Sequence, residues 1–359
     1  MNILKDTNLK NFSTFQVTAK AKYFVEVNAE KDILELIETE EFQNNDIYLL
    51  GQGANTLFKS NFDGLIAKIN LKGQEILSEN DKNILIKMHS GEDWEEFVDW
   101  TVEHNYQGIE NLTMIPGSIG GAVSQNIAAY GQNIMDVVDS VYTFDLKSKE
   151  FKNFSNAECE YRYRSSIFKS KYRNRFIIIY AVFKLNKGVQ KLETTYHERA
   201  SRYGSLESEL ETFAKEPYSL QDIQKAVENI RTRKLPSVNE YGTCGSVFAN
   251  PIVTTAKYFE LAKKIPELQS YPVDKLQYSR KDWSDIDEDY VKIPAGRIID
   301  YLGWRGKWEG NVGMFDRHAV CAVTNKKADG KEVFDFLEKI RQNVKGAYDI
   351  DLEYEINII

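Results

Sequence analysis

Ile115-Pro116-Gly117-Ser118-Ile119-Gly120-Gly121-Ala122, followed by Gln125-Asn126 and Ala129-Tyr130-Gly131, is the stretch on which the fold reading turns. Glycines this dense, with Gly108 upstream and Pro116 among them, predict an extended loop over residues 106–135 rather than regular structure. Backbone without Cβ atoms lets a flat or phosphorylated ligand lie directly on the chain. Ser118, Gln125 and Asn126 add short, uncharged polar groups. A purely structural loop of this length is uncommon inside a compact domain, so the segment is expected to bind something.

Upstream, strand and helix signals alternate. The pattern predicts a helix over 29–37, a strand over 46–50 and further strands over 64–69 and 83–89. A helix over 92–104 would put Trp94, Phe97, Val98, Thr101 and Val102 on one face. The first strand runs into Gly51-Gln52-Gly53-Ala54-Asn55-Thr56. That turn lacks the third glycine and the following helix of a dinucleotide fingerprint. It reads equally as a nest of amides for a diphosphate and as a plain hairpin turn.

Downstream, strands are expected over 137–145 and 175–185, with a charged linker or mobile loop over 190–217. Ser219 and Asp222 open a helix that ends before Pro236. An amphipathic helix over 333–344 closes at Gly346. The last strand alternates Ile350, Leu352, Tyr354, Ile356 and Ile358 with Asp351, Glu353, Glu355 and Asn357.

Composition narrows the function classes. At 359 residues the chain suggests two or three domains, and 42% hydrophobic with 28% charged residues is ordinary for a globular protein. A net charge of −8 leaves no basic footprint for nucleic acid. Cys159, Cys244 and Cys321 are too scattered for a disulfide framework or a zinc site, which suits a reducing compartment. The N-terminus lacks an apolar signal core, and the longest apolar run, 176–183, is too short to cross a bilayer. A soluble cytoplasmic protein is expected. None of the four histidines has metal-ligand spacing, so no metal is expected.

Three further places could carry chemistry. In Tyr161-Arg162-Tyr163-Arg164, a strand would put Arg162 and Arg164 on one face, where a guanidinium can hold a carboxylate in bidentate fashion. A solvated basic strand edge fits the same residues. In Tyr241-Gly242-Thr243-Cys244-Gly245-Ser246-Val247-Phe248-Ala249-Asn250-Pro251, no His or Asp stands by to make Ser246 a nucleophile. Such a serine suits giving a proton, but read alone the stretch favours an ordinary turn serine. Glu355 shares its face with Glu353, and spacing does not choose between them.

In order along the chain, six segments resemble those of the UDP-N-acetylenolpyruvoylglucosamine reductase (MurB) family. They are Gly51-Gln52-Gly53-Ala54-Asn55, Gly108-Ile109-Glu110-Asn111-Leu112, Ile115-Pro116-Gly117, Gln125-Asn126 with Ala129-Tyr130-Gly131, Tyr163-Arg164-Ser165-Ser166-Ile167-Phe168-Lys169, and Gly245-Ser246-Val247-Phe248-Ala249-Asn250-Pro251. The likeness runs from Asn11-Phe12-Ser13-Thr14-Phe15 to Glu355.

The resemblance implies an α+β protein: an FAD-binding domain of the vanillyl-alcohol oxidase-like (PCMH) type plus a smaller α+β substrate-binding domain. The expected divisions are 1–205 for FAD, in subdomains 1–70 and 71–205, then 206–330 for substrate and 331–359 closing the site. Non-covalent FAD would rest on Gly51, Gln52, Gly53, Ala54, Asn55 and Thr56, and on Pro116, Gly117, Ser118, Gly120, Gln125 and Asn126. Tyr203 is similar to a tyrosine that covers the substrate in the family's long-loop type. Arg231 and Lys234 are similar to the pair serving the substrate's phosphates and sugar, and Tyr130, Asn250, Tyr271 and Arg305 to further contacts.

The implied reaction reduces UDP-N-acetylglucosamine enolpyruvate to UDP-N-acetylmuramate for peptidoglycan, with hydride from NADPH by way of FAD. Arg164 and Glu355 would stabilise the enolate and Ser246 would protonate carbon. The protein would work as a monomer without nucleic acid or membrane. Ser13 and Ala54 depart from the family's common Asn and Ser, Ala249 departs from a common lysine, and 272–291 diverges. Two other readings fit less of the pattern: an oxidase of the same FAD-domain superfamily, often with tethered flavin, and a non-catalytic flavin or sugar-nucleotide binder.

Overall fold

The computed structural model describes residues 1–194, 204–273 and 289–359. The chain forms two compact units that interleave along the sequence. Residues 1–7, 21–52 and 63–233 make the first, and residues 8–20, 53–62 and 234–359 the second.

The first unit is built on the apolar strand Phe176–Lys187, the centre of an antiparallel sheet. Neighbours run in the order Glu150–Ser155, Val138–Asp145, Phe176–Lys187, Asn83–His89, Gln74–Glu79. The long apolar run serves two cores. Ile177 and Ile179 pack with Ile33 and Leu36, while Phe183 and Leu185 pack with Trp94, Phe97 and Val98. A register irregularity between the Tyr142 and Thr143 pairs breaks the strict alternation. Ile178 and Ala181 therefore join the same core. A second sheet orders Leu4–Asn8, Lys20–Val27, Phe62–Ile69 and Ile47–Leu50, the last two parallel. The expected helices appear at Glu30–Leu36 and Trp94–Glu103.

The helix Leu220–Lys234 opens with the expected exchange: Ser219 Oγ accepts from Asp222 N at 3.1 Å, and Ser219 N donates to Asp222 Oδ2 at 2.9 Å. Its residues through Arg233 lie in the first unit, because Ile223, Ala226, Val227 and Ile230 bury against Tyr130, Leu206 and Leu210. Within the expected linker, Leu206–Leu210 is a helix with both leucines buried.

At the end of its strand, Asp145 takes two bonds from Arg175, Nε at 2.9 Å and Nη2 at 2.6 Å. Hydrogen bonding to Arg175 is the main influence on this carboxyl and holds it at about 2. A depressed carboxylate stabilises the fold fully above about pH 4, and that contribution is lost as pH falls through its native value. Asp145→Asn is therefore expected to melt below the parent at about pH 6, and the two melting temperatures to converge toward about pH 2. A gap that stays constant over that range would rule out the ion pair as its source.

In the second unit, Gly330–Tyr348 is an amphipathic helix burying Val333, Phe336, Leu337, Ile340 and Val344. It runs through Gly346, the expected stop, and ends where Asp349 takes a left-handed conformation. Two small antiparallel sheets, Trp308–Glu309 with Val312–Met314 and Ala322–Thr324, and Ile252–Thr254 with Tyr290–Lys292 and Tyr271–Pro272, complete it. The expected last strand is mostly not one. Only Asn357–Ile358 pairs as a strand, parallel to Thr56–Leu57. The alternation reflects burial all the same, with Ile350, Leu352 and Ile356 inside.

Candidate functional site

The glycine-rich stretch is not the continuous loop its composition suggests. Ile119–Gln125 is a helix, with Ser118 Oγ accepting from Gly121 N at 3.4 Å at its start. Its glycines serve close packing. A Cβ on Gly120 would lie 2.9 Å from Ser90 Cβ, and Gly120 N donates to Ser90 O at 2.8 Å. Ile119 N is likewise committed to Glu92 O at 2.9 Å. Neither of those two amides is therefore left for an anion.

The fold brings that turn and Ser118 together: a Cβ on Gly51 would stand 2.7 Å from Ser118 Oγ. Gln52 Nε2 donates to Asp93 Oδ2 at 2.8 Å, and the other Asp93 oxygen caps the Trp94–Glu103 helix. Asp93 has no place in the sequence-derived set. Its one signal is its position as N-cap before an apolar-faced helix.

At the far end of Ile119–Gln125, Asn126 adopts φ 51° and donates through Nδ2 to Arg162 O at 2.8 Å. Its buried Oδ1 makes no hydrogen bond among the described residues, leaving an acceptor for a ligand N–H or a water. Arg162 and Arg164 lie in a turn closed by an Arg162–Ser165 bridge, not in a strand. Their side chains part: Arg162 Nη1 donates to Tyr161 O at 2.9 Å, and Arg164 Nη1 to Ala128 O at 2.8 Å. Tyr130 O accepts from Asn111 Nδ2 at 2.7 Å. Asn126, Tyr130 and Arg164 all have left-handed backbone. At roughly 1–2 kcal/mol each, such conformations persist where surrounding contacts enforce them, and they gather at ligand sites. Arg231 Nη2 donates to Met114 O at 3.1 Å.

In the second unit, residues 12–14 mould the other half of the glycine turn. Gly53 has φ 70°, and a Cβ there would sit 2.0 Å from Phe12 O. Thr14 Oγ1 donates to Ala54 O at 3.4 Å and Ser13 Oγ to Thr56 O at 2.6 Å. The Ser13 hydroxyl is thus spent on the turn itself. Asn55 turns its Nδ2 to Glu355 O at 3.2 Å, and Asn357 Nδ2 donates back to Asn55 O at 3.2 Å.

Ser246 follows Gly245, whose φ of 70° suits glycine. A Cβ on Gly242 would meet Phe15 O at 2.0 Å. Burial pushes the nearby Cys244 thiol up to about 11, so no thiolate competes as a nucleophile. Glu355 N donates to Val247 O and Ala249 N to Glu353 O, both at 2.9 Å. Ser246 and Glu355 are thereby carried on paired segments. The register separates the two glutamates: Glu355 lies opposite Val247, beside Ser246, and Glu353 lies opposite Ala249. The Ser246 hydroxyl makes no hydrogen bond among the described residues.

Other nominated side chains have protein partners. Asn250 Oδ1 accepts from Ala295 N at 2.9 Å, at the start of the Ala295–Tyr301 helix. Arg305 Nε pairs with Asp300 at 2.8 Å, and the Tyr271 hydroxyl donates to Gln269 at 2.7 Å. Lys234 ends the Leu220–Lys234 helix. Arg164 belongs to the first unit, and Ser246 and Glu355 to the second. Tyr203 and the acidic residues Asp274, Asp282, Asp285, Asp287 and Glu288 lie outside the described residues.

Two family profiles match the chain: "FAD binding domain" over residues 21–149, and "UDP-N-acetylenolpyruvoylglucosamine reductase, C-terminal domain" over residues 237–359. The reductase of that name from Flavobacterium johnsoniae is 34% identical over 359 residues, 100% of both chains. That from Bdellovibrio bacteriovorus is 33% identical and covers 99% of each. The crystal structure of the Thermus caldophilus enzyme superposes with a TM-score of 0.64 at 16% identity, over 99% of this chain and 98% of that one, which is a likeness of fold. End-to-end identity of this degree, with both profiles in matching order, means that the chain belongs to the UDP-N-acetylenolpyruvoylglucosamine reductase family.

Proposed function

We propose that this protein is the NADPH-dependent flavoenzyme that reduces UDP-N-acetylglucosamine enolpyruvate to UDP-N-acetylmuramate for peptidoglycan. The observation that carries the reading is the pairing of the Ser246 and Glu355 segments, with a Ser246 hydroxyl that no described residue engages. FAD, when bound, supplies the hydride that NADPH provides.

The residues fit that cofactor. A Cβ on Gly51 would stand 2.7 Å from Ser118 Oγ, so only glycine leaves that backbone bare, and buried Asn126 Oδ1 offers an unclaimed acceptor. Gly51, Gln52, Gly53, Ala54, Thr56, Pro116, Gly117, Ser118, Gly120, Gln125 and Asn126 form the proposed cofactor set, with Asn55 shaping the turn. No His or Cys lies in 51–56 or 115–126, which supports a flavin held without a covalent tether.

Arg164 is assigned to the substrate carboxylate, where a guanidinium stabilises charge that develops as the double bond is reduced. Ser246 gives a proton to carbon, which an alkyl hydroxyl does only from a dry, preorganised pocket. Glu355 shares a proton with the enolate oxygen. Tyr130, Tyr203, Arg231, Lys234, Asn250, Tyr271 and Arg305 are the proposed substrate contacts. Among the described residues no helix is long and apolar enough to cross a membrane, and the reading places the enzyme in the cytoplasm as a monomer.

The test is anaerobic. The purified protein should be yellow, bleach with NADPH, and regain its colour when UDP-N-acetylglucosamine enolpyruvate is added. Colour that returns only with oxygen points to the oxidase reading. Acid precipitation should leave the pellet colourless.

A further inference from the structure

The segment that carries Glu355 is gripped by side chains that no step of the proposed chemistry uses. Tyr354 donates its hydroxyl to Glu338 Oε1 at 2.6 Å, and Arg341 Nη1 donates to the same oxygen at 2.7 Å. Arg341 Nε reaches Leu352 O at 2.9 Å, and its guanidinium lies 5.1 Å from the Tyr354 ring centre. Glu338 and Arg341 sit one turn apart on the rigid helix Gly330–Tyr348. On its other side the Tyr354 ring stacks on Phe248, centroids 5.2 Å apart and planes 28° apart. Phe248 and Tyr354 are also backbone bridge partners, flanked by the Glu355–Val247 and Ala249–Glu353 hydrogen bonds.

The surroundings of Tyr354 match a loaded contact rather than an idle one. Burial is the largest influence raising its hydroxyl, and the bond to Glu338 adds to it, so the tyrosine stays a donor throughout the neutral range. A neutral donor and a guanidinium share one carboxylate oxygen, an arrangement stiffer than either bond alone. The segment around Tyr354 is held mostly by side chains rather than by a strand ladder. Residues 349–353 form no strand, and strand pairing resumes only at Asn357.

We propose that Tyr354, clasped by Glu338 and Arg341, is a positioning residue that fixes the Glu355 and Ser246 segments against each other for proton delivery. It touches no reacting atom. Its effect is geometric: the stack on Phe248 and the bond to Glu338 tie both reactive segments to one helix. Misplacement of a reacting group by an ångström can cost about a hundredfold, so loss of one of several ties should cost about tenfold. This inference rests on the roles assigned to Ser246 and Glu355 above.

Tyr354→Phe keeps the ring and its stack and removes only the hydroxyl. In the FAD-loaded protein, bleaching by NADPH should stay within about twofold of the parent, while reoxidation by UDP-N-acetylglucosamine enolpyruvate slows about tenfold. Independently of turnover, hydrogen exchange at the Glu355 and Ala249 amides should quicken, because those amides make the bridging bonds. Glu338→Gln, on a partly exposed helix position, should show the same split and covers the case in which Tyr354→Phe folds poorly. Reoxidation at the parental rate, unchanged amide exchange, or equal slowing of both half-reactions overturns the proposal. Ser246→Ala run alongside separates the two ideas. If it reoxidises normally the serine assignment fails, and if it is slow while Tyr354→Phe is not, only the clasp fails.

Discussion

Ser246→Ala is expected to bind FAD and bleach with NADPH as the parent does, yet to recover its colour with substrate about a thousandfold more slowly. The size follows from the role. A positioned general acid contributes typically 10²–10⁴-fold, and no second acid is assigned to that carbon. The selectivity follows from the structure. Because the hydroxyl bonds to no described residue, removing it should cost the fold less than about 1 kcal/mol, within the range of an uninvolved substitution. A rapid-mixing experiment that follows flavin absorbance in each half-reaction decides the matter. Normal turnover by the variant would end the proton-donor assignment.

Gly53→Ala should produce the largest loss of stability and cofactor. Two costs add at this position. At φ 70° an L side chain is strained by about 1–2 kcal/mol, and its Cβ would stand 2.0 Å from Phe12 O and 2.9 Å from Ser13 Cα. Backbone does not yield as a flexible side chain does, so residues 12–14 must move. That movement strains the Ser13–Thr56 and Thr14–Ala54 bonds that shape the turn. The expected loss is about 3 kcal/mol or more, with little flavin retained on purification. Gly245→Ala is the control: its φ is also 70°, but a Cβ there meets nothing within 4 Å. It should lose only about 1 kcal/mol in a denaturant titration. Equal losses at the two glycines would show that the Phe12 contact carries no cost.

Much of the architecture was legible because its signals are local. The helices Glu30–Leu36 and Trp94–Glu103 announce themselves by apolar periodicity, and the Ser219–Asp222 exchange by a three-residue spacing. The strand Phe176–Lys187 is a run too apolar for anything but a two-sided core. The failures share one cause. Dense glycine around 115–126 suggests absence of structure, yet Gly120 is there because a helix presses onto the Ser90 backbone. Alternation at 350–358 suggests a strand, although alternate burial needs only an extended chain against a core. The turn at 162–165 gives no periodic signal at all, because left-handed Arg164 is held by its neighbours rather than by its own preference.

The site divides in the same way. By itself the sequence determined the ordered set of motifs, and with it the family, because each motif is a short run whose residues do their work side by side. It also nominated Ser246, Arg164 and Glu355. Spacing alone held no means of choosing Glu355 over Glu353, since both occupy one face of the same segment; the family resemblance made that nomination. Only the tertiary structure decided the register, which sets Glu355 opposite Val247 and Glu353 opposite Ala249. The same register brought Tyr354 onto Phe248 and under Glu338. Pairings between segments so far apart along the chain depend on how whole elements pack, and no window of local sequence encodes which residue will face which.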